Sequence, residues 1–275
     1  MPADKIVSLA ELARRIPDGS SLAIGGSFLH RAPFALVREL VRRGARDLEI
    51  AKSSPGYDID VLARAGVVAR AKTGIVAMEA GFGLAPAYRS AIESGRLKLE
   101  EHSCATLAAG FRAAAFGVPF QAVPGVFGSD LIALNGWRTV VDPYSGQATV
   151  VIPAIAPDFA VIHANEVDAL GNARVYGTPH WDRLLTRAAN RVLVTAERLV
   201  STEELARRPE LTLVPGFMVE AVAIVARGAW PGSMHPDYAI DFDAVAAYLE
   251  SDDAALQRHL AGAPEAIAAA ALAHV

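Results

Sequence analysis

The sequence predicts an α/β fold: an open, mostly parallel sheet with helices on both faces. Three observations predict it. Short apolar runs, several rich in Val and Ile, recur along the chain as strands buried on both faces do. Stretches with apolar residues at helical spacing lie between them, so strand and helix alternate as in right-handed βαβ units. The chain has 275 residues and is 52% hydrophobic, enough for a full core. No internal repeat or low-complexity linker divides it, so residues 1–275 read as a single domain.

From the N-terminus, MPADKIVSLAELARRIPDG has an amphipathic helix pattern without the continuous apolar core of a signal peptide. Leu22–Gly25 is the first strand-like run. Pro33–Arg43 follows, with Leu36, Val37, Leu40 and Val41 at helical spacing, and Gly44 suits its left-handed end. Leu48–Ala51 reads as a strand, Ile59–Ala65 as a helix and Ala71–Val76 as a strand. Ala85–Ser94 is helical, closed by Gly95. Leu99–Ser103 leads as a helix start into the Ala-rich helix Ala105–Phe116, which Gly117-Val118-Pro119 ends. Phe120–Val123 is a strand. Pro124–Gly146 carries glycines, Pro143 and little periodicity, and such a segment is either functional or hides elements. Val150–Ile152 and Ala160–Ala164 read as strands, and Asp168–Asn172 as a hairpin-like turn before Ala173–Tyr176. Arg183–Ala189 is helical and Val192–Thr195 a strand. Ser201 and Glu204 offer a capping box. Asp241 starts a helix ending near Glu250.

Charged residues make up 20% of the chain and the formal net charge is −4. The arginines are scattered beside Asp and Glu, as on solvated helix faces, so no nucleic-acid footprint is expected. The one cysteine, Cys104, excludes an internal disulfide and a multi-cysteine zinc site. No apolar run reaches membrane-spanning length. The expected location is cytoplasmic.

Four polar loops follow strands. In the first, Gly25-Gly26 permits close backbone approach, and the helix start after Pro33 attracts anions. His30 and Arg31 add charge-assisted donors, and Ser27 a hydroxyl. The spacing is neither G-x-G-x-x-G nor a Walker loop, and on these residues alone a tight βα turn is the better reading. In the second, Gly125–Asp130 brings Phe127, Gly128 and Ser129 to a strand end, where ligands bind in open α/β sheets. In the third, Met78–Gly83, Glu79 is an acid or base or an ordinary helix-start carboxylate, flanked by Met78 and Gly81. In the fourth, His163, Glu166 and Asp168 could hold a metal, but their spacing matches no ligand motif; a structural histidine and a turn fit better. There is no G-x-S-x-G elbow. Cys104 stands near His102 at a helix start, although a lone cysteine is more often a buried, inert thiol.

Together, these loops resemble the α subunit of family I coenzyme A transferases, the glutaconate CoA-transferase A-chain type above all. The resemblance begins at Asp18-Gly19-Ser20-Ser21-Leu22-Ala23-Ile24-Gly25-Gly26, with Pro33 beyond. It continues through Leu99–Ser103, the helix ending Gly117-Val118-Pro119-Phe120, Gly125–Asp130, Val151-Ile152-Pro153, and Asp158–Ala164 with Gly171-Asn172. Ser27 departs from the usual Phe, and His30-Arg31-Ala32-Pro33 from a glycine-containing approach to the proline. The resemblance implies a three-layer fold of that family and an enzyme that moves CoA between an acyl-CoA and a free carboxylic acid. It implies a glutamate nucleophile in a Ser-Glu-Asn-Gly-like stretch, with backbone amides stabilising the oxyanion. Glu79, Glu101, Glu166 and Glu197 lack that setting, so no catalytic residue is expected in this chain. The nucleophile is expected on a β subunit, in a heterodimer or α2β2 heterotetramer. CoA is then a substrate, with no permanently bound cofactor or metal. Gly25, Gly26, Ser27, His30, Arg31, Met78, Glu79, Gly81, Phe127, Gly128 and Ser129 are the expected substrate-binding residues. Relatives that hydrolyse a ring in steroid-derived CoA thioesters are an alternative, weakened by Cys104 where the resemblance implies an acidic residue. A non-catalytic metabolite sensor is another.

Overall fold

The runs rich in β-branched and small apolar residues form the strands that the alternation predicts. The structure is a computed structural model, and it describes residues 4–79, 81–250 and 252–272. After helix α1 (Leu9–Arg14), strands and helices alternate: β1 (Ser21–Ile24), α2 (Phe34–Arg42), β2 (Leu48–Lys52), α3 (Tyr57–Arg64), β3 (Val68–Thr73), α4 (Pro86–Glu93) and β4 (Lys98–Glu101). The chain then runs through α5 (Cys104–Ala115), β5 (Phe120–Val123), α6 (Leu131–Leu134), β6 (Arg138–Val141) and β7 (Ala148–Pro153). It returns with β8 (Phe159–Val167), β9 (Ala173–Arg174), α7 (Asp182–Ala188), β10 (Arg191–Leu199), α8 (Thr202–Ala206), β11 (Thr212–Val214) and β12 (Val219–Ile224). Helices α9 (Phe242–Leu249), α10 (Asp253–Ala261) and α11 (Pro264–Leu272) follow.

Nine strands join in the main sheet. Its parallel part runs β12-β10-β8-β1-β2-β3-β4. The order therefore reverses between β1 and β8, and such a reversal opens a crevice at the carboxyl ends of the strands. β9 lies antiparallel against the last residues of β8, and β11 against β9. The pleat divides the core. Leu22 and Ile24 pack with α1, α2 and α3 on one face. Ala23 and Ala160 pack with Leu107 and Phe111 of α5 and Leu185 of α7 on the other. All of β8 is buried, as a central parallel strand must be.

A second, antiparallel sheet runs β5-β7-β6. Val123, Val126, Trp137, Val150 and Ile152 seat it on Ala109 of α5.

Several expectations are corrected. Lys98–Glu101 is an edge strand, not the start of a helix; among the described residues it pairs only with β3, and it buries no residue fully, so it carries no alternating signature. Pro124–Gly146 is not irregular throughout: it holds α6 and β6, and every residue of β6 is exposed. The strand expected at Ala71–Val76 starts at Val68 and ends at Thr73, and β9 ends at Arg174. Gly44 (φ +71°) and Gly95 (φ +74°) close their helices in the left-handed region as expected. Ser201 accepts from the Glu204 N–H, while the reciprocal capping box forms at Ser103 and Thr106.

Candidate functional site

The loop after β1 is built for close approach. Gly25 donates its N–H to Val161 O at 2.8 Å. A Cβ on Gly25 would stand 2.8 Å from the Asp182 carboxylate, and one on Gly26 (φ +72°) would strike the backbone of His30 and Ala32. Asp182, at the start of α7, accepts from the Gly26 N–H at 3.0 Å. The loop then folds on itself, with Ser27 and His30 exchanging backbone hydrogen bonds of 3.0 and 2.7 Å.

Charges beneath this loop are buried in pairs, as desolvation requires. Arg31 donates to Asp182, to Thr178 O at 3.2 Å and to His163 O at 3.4 Å. Lys52, at the end of β2, donates to Gly25 O at 2.8 Å and to Asp58 at 2.6 Å. His163 on β8 bonds Thr195 and Glu197 of β10, both at 2.8 Å. Glu197 also accepts from the N–H groups of Arg227 and Gly228 and from the Tyr238 hydroxyl. Burial alone would raise the Glu197 carboxyl, but His163 and these donors hold it below its ordinary range. Burial and the Glu197 charge push the Tyr238 phenol up.

Above these pairs, at the β1/β8 reversal, lies a cavity of about 440 Å³. The first loop contributes Ser27, His30 and Arg31; the segment after β9 contributes Tyr176, Gly177, Thr178 and His180; the segment before α9 contributes Ser233 and His235. Among the described residues the lining contains no Asp or Glu. Burial, helped by Lys52 and Arg31 and opposed by Asp182, lowers the His180 pKa and so favours the neutral imidazole. Backbone strain gathers here. Among the described residues, six non-glycine residues have positive φ; Arg31 and His180 of these line the cavity, Phe28 lies in the first loop between Ser27 and His30, and Glu79 touches that loop at Leu29 and His30. Such strain persists where surrounding structure over-determines a site.

Of the expected residues, Ser27, His30 and Arg31 face the cavity. Gly25 and Gly26 lie beneath it with their amides already bonded, so they contribute shape and not free donors. Met78 is fully buried in the core. Glu79 is not at a helix start: it sits in a tight turn at φ +68°, accepts from the Leu29 N–H at 3.4 Å and approaches His30 at 3.4 Å. Gly81 is exposed on the same turn, and Ala80 lies outside the described residues. Phe127, Gly128 and Ser129 follow β5 in the small sheet and do not line the cavity. His163, Glu166 and Asp168 work apart: Glu166 pairs with Arg174 and Arg198, and Asp168 bonds Asn172 and Thr202. Cys104 is exposed, not buried, and His102 turns to Thr106 and Glu100. Sequence reasoning missed His180, Ser233, His235 and Asp182. The clustered Gly, Pro and His of Gly177–His180 and Gly232–Pro236 were the available signal.

Comparison with known proteins agrees with this architecture. The sequence model of the family described as Coenzyme A transferase matches residues 6–224. An uncharacterized protein of Archaeoglobus fulgidus is 36% identical over 96% of this chain, which spans 58% of that protein's length. One subunit of the 3-oxoadipate CoA-transferase of Pseudomonas knackmussii is 32% identical, over 86% of this chain and 82% of its own. The IpdA subunit of the cholesterol ring-cleaving hydrolase of Rhodococcus jostii is 34% identical, over 82% and 79%. Among solved structures, a variant of the decarboxylase AibA/AibB superposes with a TM-score of 0.87 at 33% identity, covering 94% of this chain and 99% of that one. Glutaconate coenzyme A-transferase of Acidaminococcus fermentans superposes at 0.85 with 28% identity, covering 89% and 83%. A parallel sheet reversing at β1/β8, a glycine loop over that reversal and a profile match across most of the chain lead to one assignment: this chain belongs to the coenzyme A transferase family.

Proposed function

We propose that this chain is the α subunit of a two-chain CoA-transferase that moves CoA between an acyl-CoA and a free carboxylic acid. The observation that carries this reading is the cavity at the β1/β8 reversal, whose lining holds no carboxylate among the described residues. The acidic groups around it are committed: Asp182 to Arg31 and Gly26, Glu79 to Leu29 and His30, Glu197 to His163 and Tyr238. Attack on a thioester by a carboxylate therefore calls for a glutamate from a β subunit. Ser27, His30 and Arg31 would hold the acyl group, with Arg31 fixed by Asp182 so that little freedom is lost on binding. CoA enters and leaves as a substrate. Residues 1–275 act as one domain in the cytoplasm, within a heterodimer or an α2β2 heterotetramer. Exposed Phe116, Phe120, Leu134, Val141 and Tyr144 around the small sheet support a partner, since apolar groups gathered on a surface mark interaction sites.

The test is to assay the purified chain alone and with the product of its neighbouring gene, using an acyl-CoA with acetate or succinate. CoA exchange only in the pair is the expected result, and exchange by the isolated chain overturns the half-site reading. The likeness to a decarboxylase and to a chain named as part of a ring-cleaving hydrolase supports a second reading. Product release by the pair with no acceptor acid present would favour it.

A further inference from the structure

The cavity holds an arrangement whose capacity to move a proton carboxylate exchange does not use. In that exchange a carboxylate attacks and a thiolate leaves, and no proton has to move. Yet Ser233 Oγ stands 2.6 Å from His30 Nδ1, and His30 Nε2 stands 3.4 Å from Glu79 Oε1. We propose that Ser233, His30 and Glu79 form a nucleophile–base–carboxylate triad that hydrolyses esters or thioesters in this cavity.

Three features support this beyond the distances. First, the residues come from three separate segments, and the backbone locks them together. Ser233 donates its N–H to Leu29 O at 2.7 Å, and its carbonyl accepts from the Arg31 N–H at 2.8 Å, which sets it beside His30. The Leu29 N–H bonds Glu79, whose φ of +68° is one of the strained values clustered here. Second, the roles fit one tautomer. A carboxylate beside Nε2 favours the proton there, leaving the Nδ1 lone pair to accept from the Ser233 hydroxyl. Third, Ser233 and His30 both line the cavity, as do Gly177 and Thr178. Among the described residues the N–H groups of Gly177 and Thr178 donate no hydrogen bond, and free backbone donors beside a reacting carbonyl are the kind of group that stabilises an oxyanion.

The step is ordinary acyl transfer. The Ser233 oxygen bonds to the acyl carbon as its proton passes to His30 Nδ1. The C–S bond breaks, and the departing thiolate takes that proton. Water then attacks the acyl-serine ester, giving a proton to His30, and the carboxylic acid leaves as the serine regains its hydrogen. Glu79 is a positioning residue in this scheme, because it acts through His30.

An alkyl fluorophosphonate tests the triad without any acyl-CoA. The reagent loses fluoride as Ser233 Oγ bonds to phosphorus, so peptide mass mapping reads the site directly. The full chain is treated alone and co-purified with its partner. The expected adduct is on Ser233, absent in Ser233→Ala and formed at least tenfold more slowly in His30→Gln of unchanged Tm. Glu79→Asn, which suits a left-handed backbone, slows labelling, and Glu79→Asp retains more of it than Glu79→Asn does. In Ser233→Cys, iodoacetamide alkylates that position faster than the exposed Cys104. No adduct on Ser233 in the folded chain, or equal labelling with and without His30, overturns the proposal. CoA exchange measured in parallel reports on the transferase reading separately, because it does not pass through Ser233.

Discussion

Two glycine loops that look alike in the sequence, Gly25–Arg31 and Gly125–Ser129, occupy opposite environments. The first closes β1 beside the reversal of a seven-strand parallel array, over paired buried charges. Its glycines are required by close approach: Gly25 by the Asp182 carboxylate, Gly26 by the backbone of the loop itself. The second closes β5 of a three-stranded antiparallel sheet. A Cβ on Gly125 or Gly128 there meets nothing within 4 Å, and Phe127 is half exposed. A strand-end glycine loop forms a ligand crevice where its strand flanks a change of strand order. Composition does not distinguish the two cases; topology does.

Removing the buried anion tests the difference most severely. Asp182→Ala leaves the Arg31 guanidinium and the Gly26 N–H without their partner, and breaking such a buried pair costs about 3–5 kcal/mol. In the outer loop, Ser129→Ala loses only the bond that Ser129 Oγ accepts from the Leu131 N–H, at about 1 kcal/mol. Denaturant unfolding of both variants measures the gap; equal losses would break the comparison. A smaller pair of effects comes from adding one methyl group. Gly25→Ala forces Asp182 aside and costs roughly 1–3 kcal/mol, whereas Gly125→Ala stays within about 0.5 kcal/mol.

The fold was legible where burial imposed a pattern. β1, β8 and β10 are apolar because they are covered on both faces, and their runs stand out. β4 and β6 are exposed and show no such run, so pairing alone defines them. The site was half legible. Ser27, His30 and Arg31 follow a glycine pair directly after a strand, which is a local signal. Ser233 reaches His30 across 203 positions, and Asp182 reaches Arg31 across 151, with no motif linking them. That Phe127–Ser129 stands away from this cavity was not legible, because nothing in the short apolar run before it discloses which sheet it joins.

Acid sharpens the comparison further. The His180 pKa is lowered by burial and by Lys52 and Arg31, so the unfolded chain takes up this proton at a higher pH than the folded one. The stability that this histidine contributes is full above the ordinary histidine range, about 6.5, and is lost as pH falls from there toward the lowered value. Thermal melts of His180→Asn, a residue that tolerates the left-handed backbone, should show a flatter decline of Tm over that window. An unchanged slope would mean that the cavity does not hold His180 neutral. The smallest stability effect is expected at the outer sheet. Phe116→Ser and Tyr144→Ser, at 79% and 98% exposed positions, change stability by no more than about 0.5 kcal/mol. Both should weaken co-purification with the proposed β subunit, and unaltered association would remove this face as its contact.

The most direct test of the central claim is the intact mass of each chain after the pair is incubated with an acyl-CoA and no acceptor acid. A cavity without its own carboxylate predicts a CoA adduct on the partner chain and none on this one. A CoA adduct on this chain would place the nucleophile here and contradict the account.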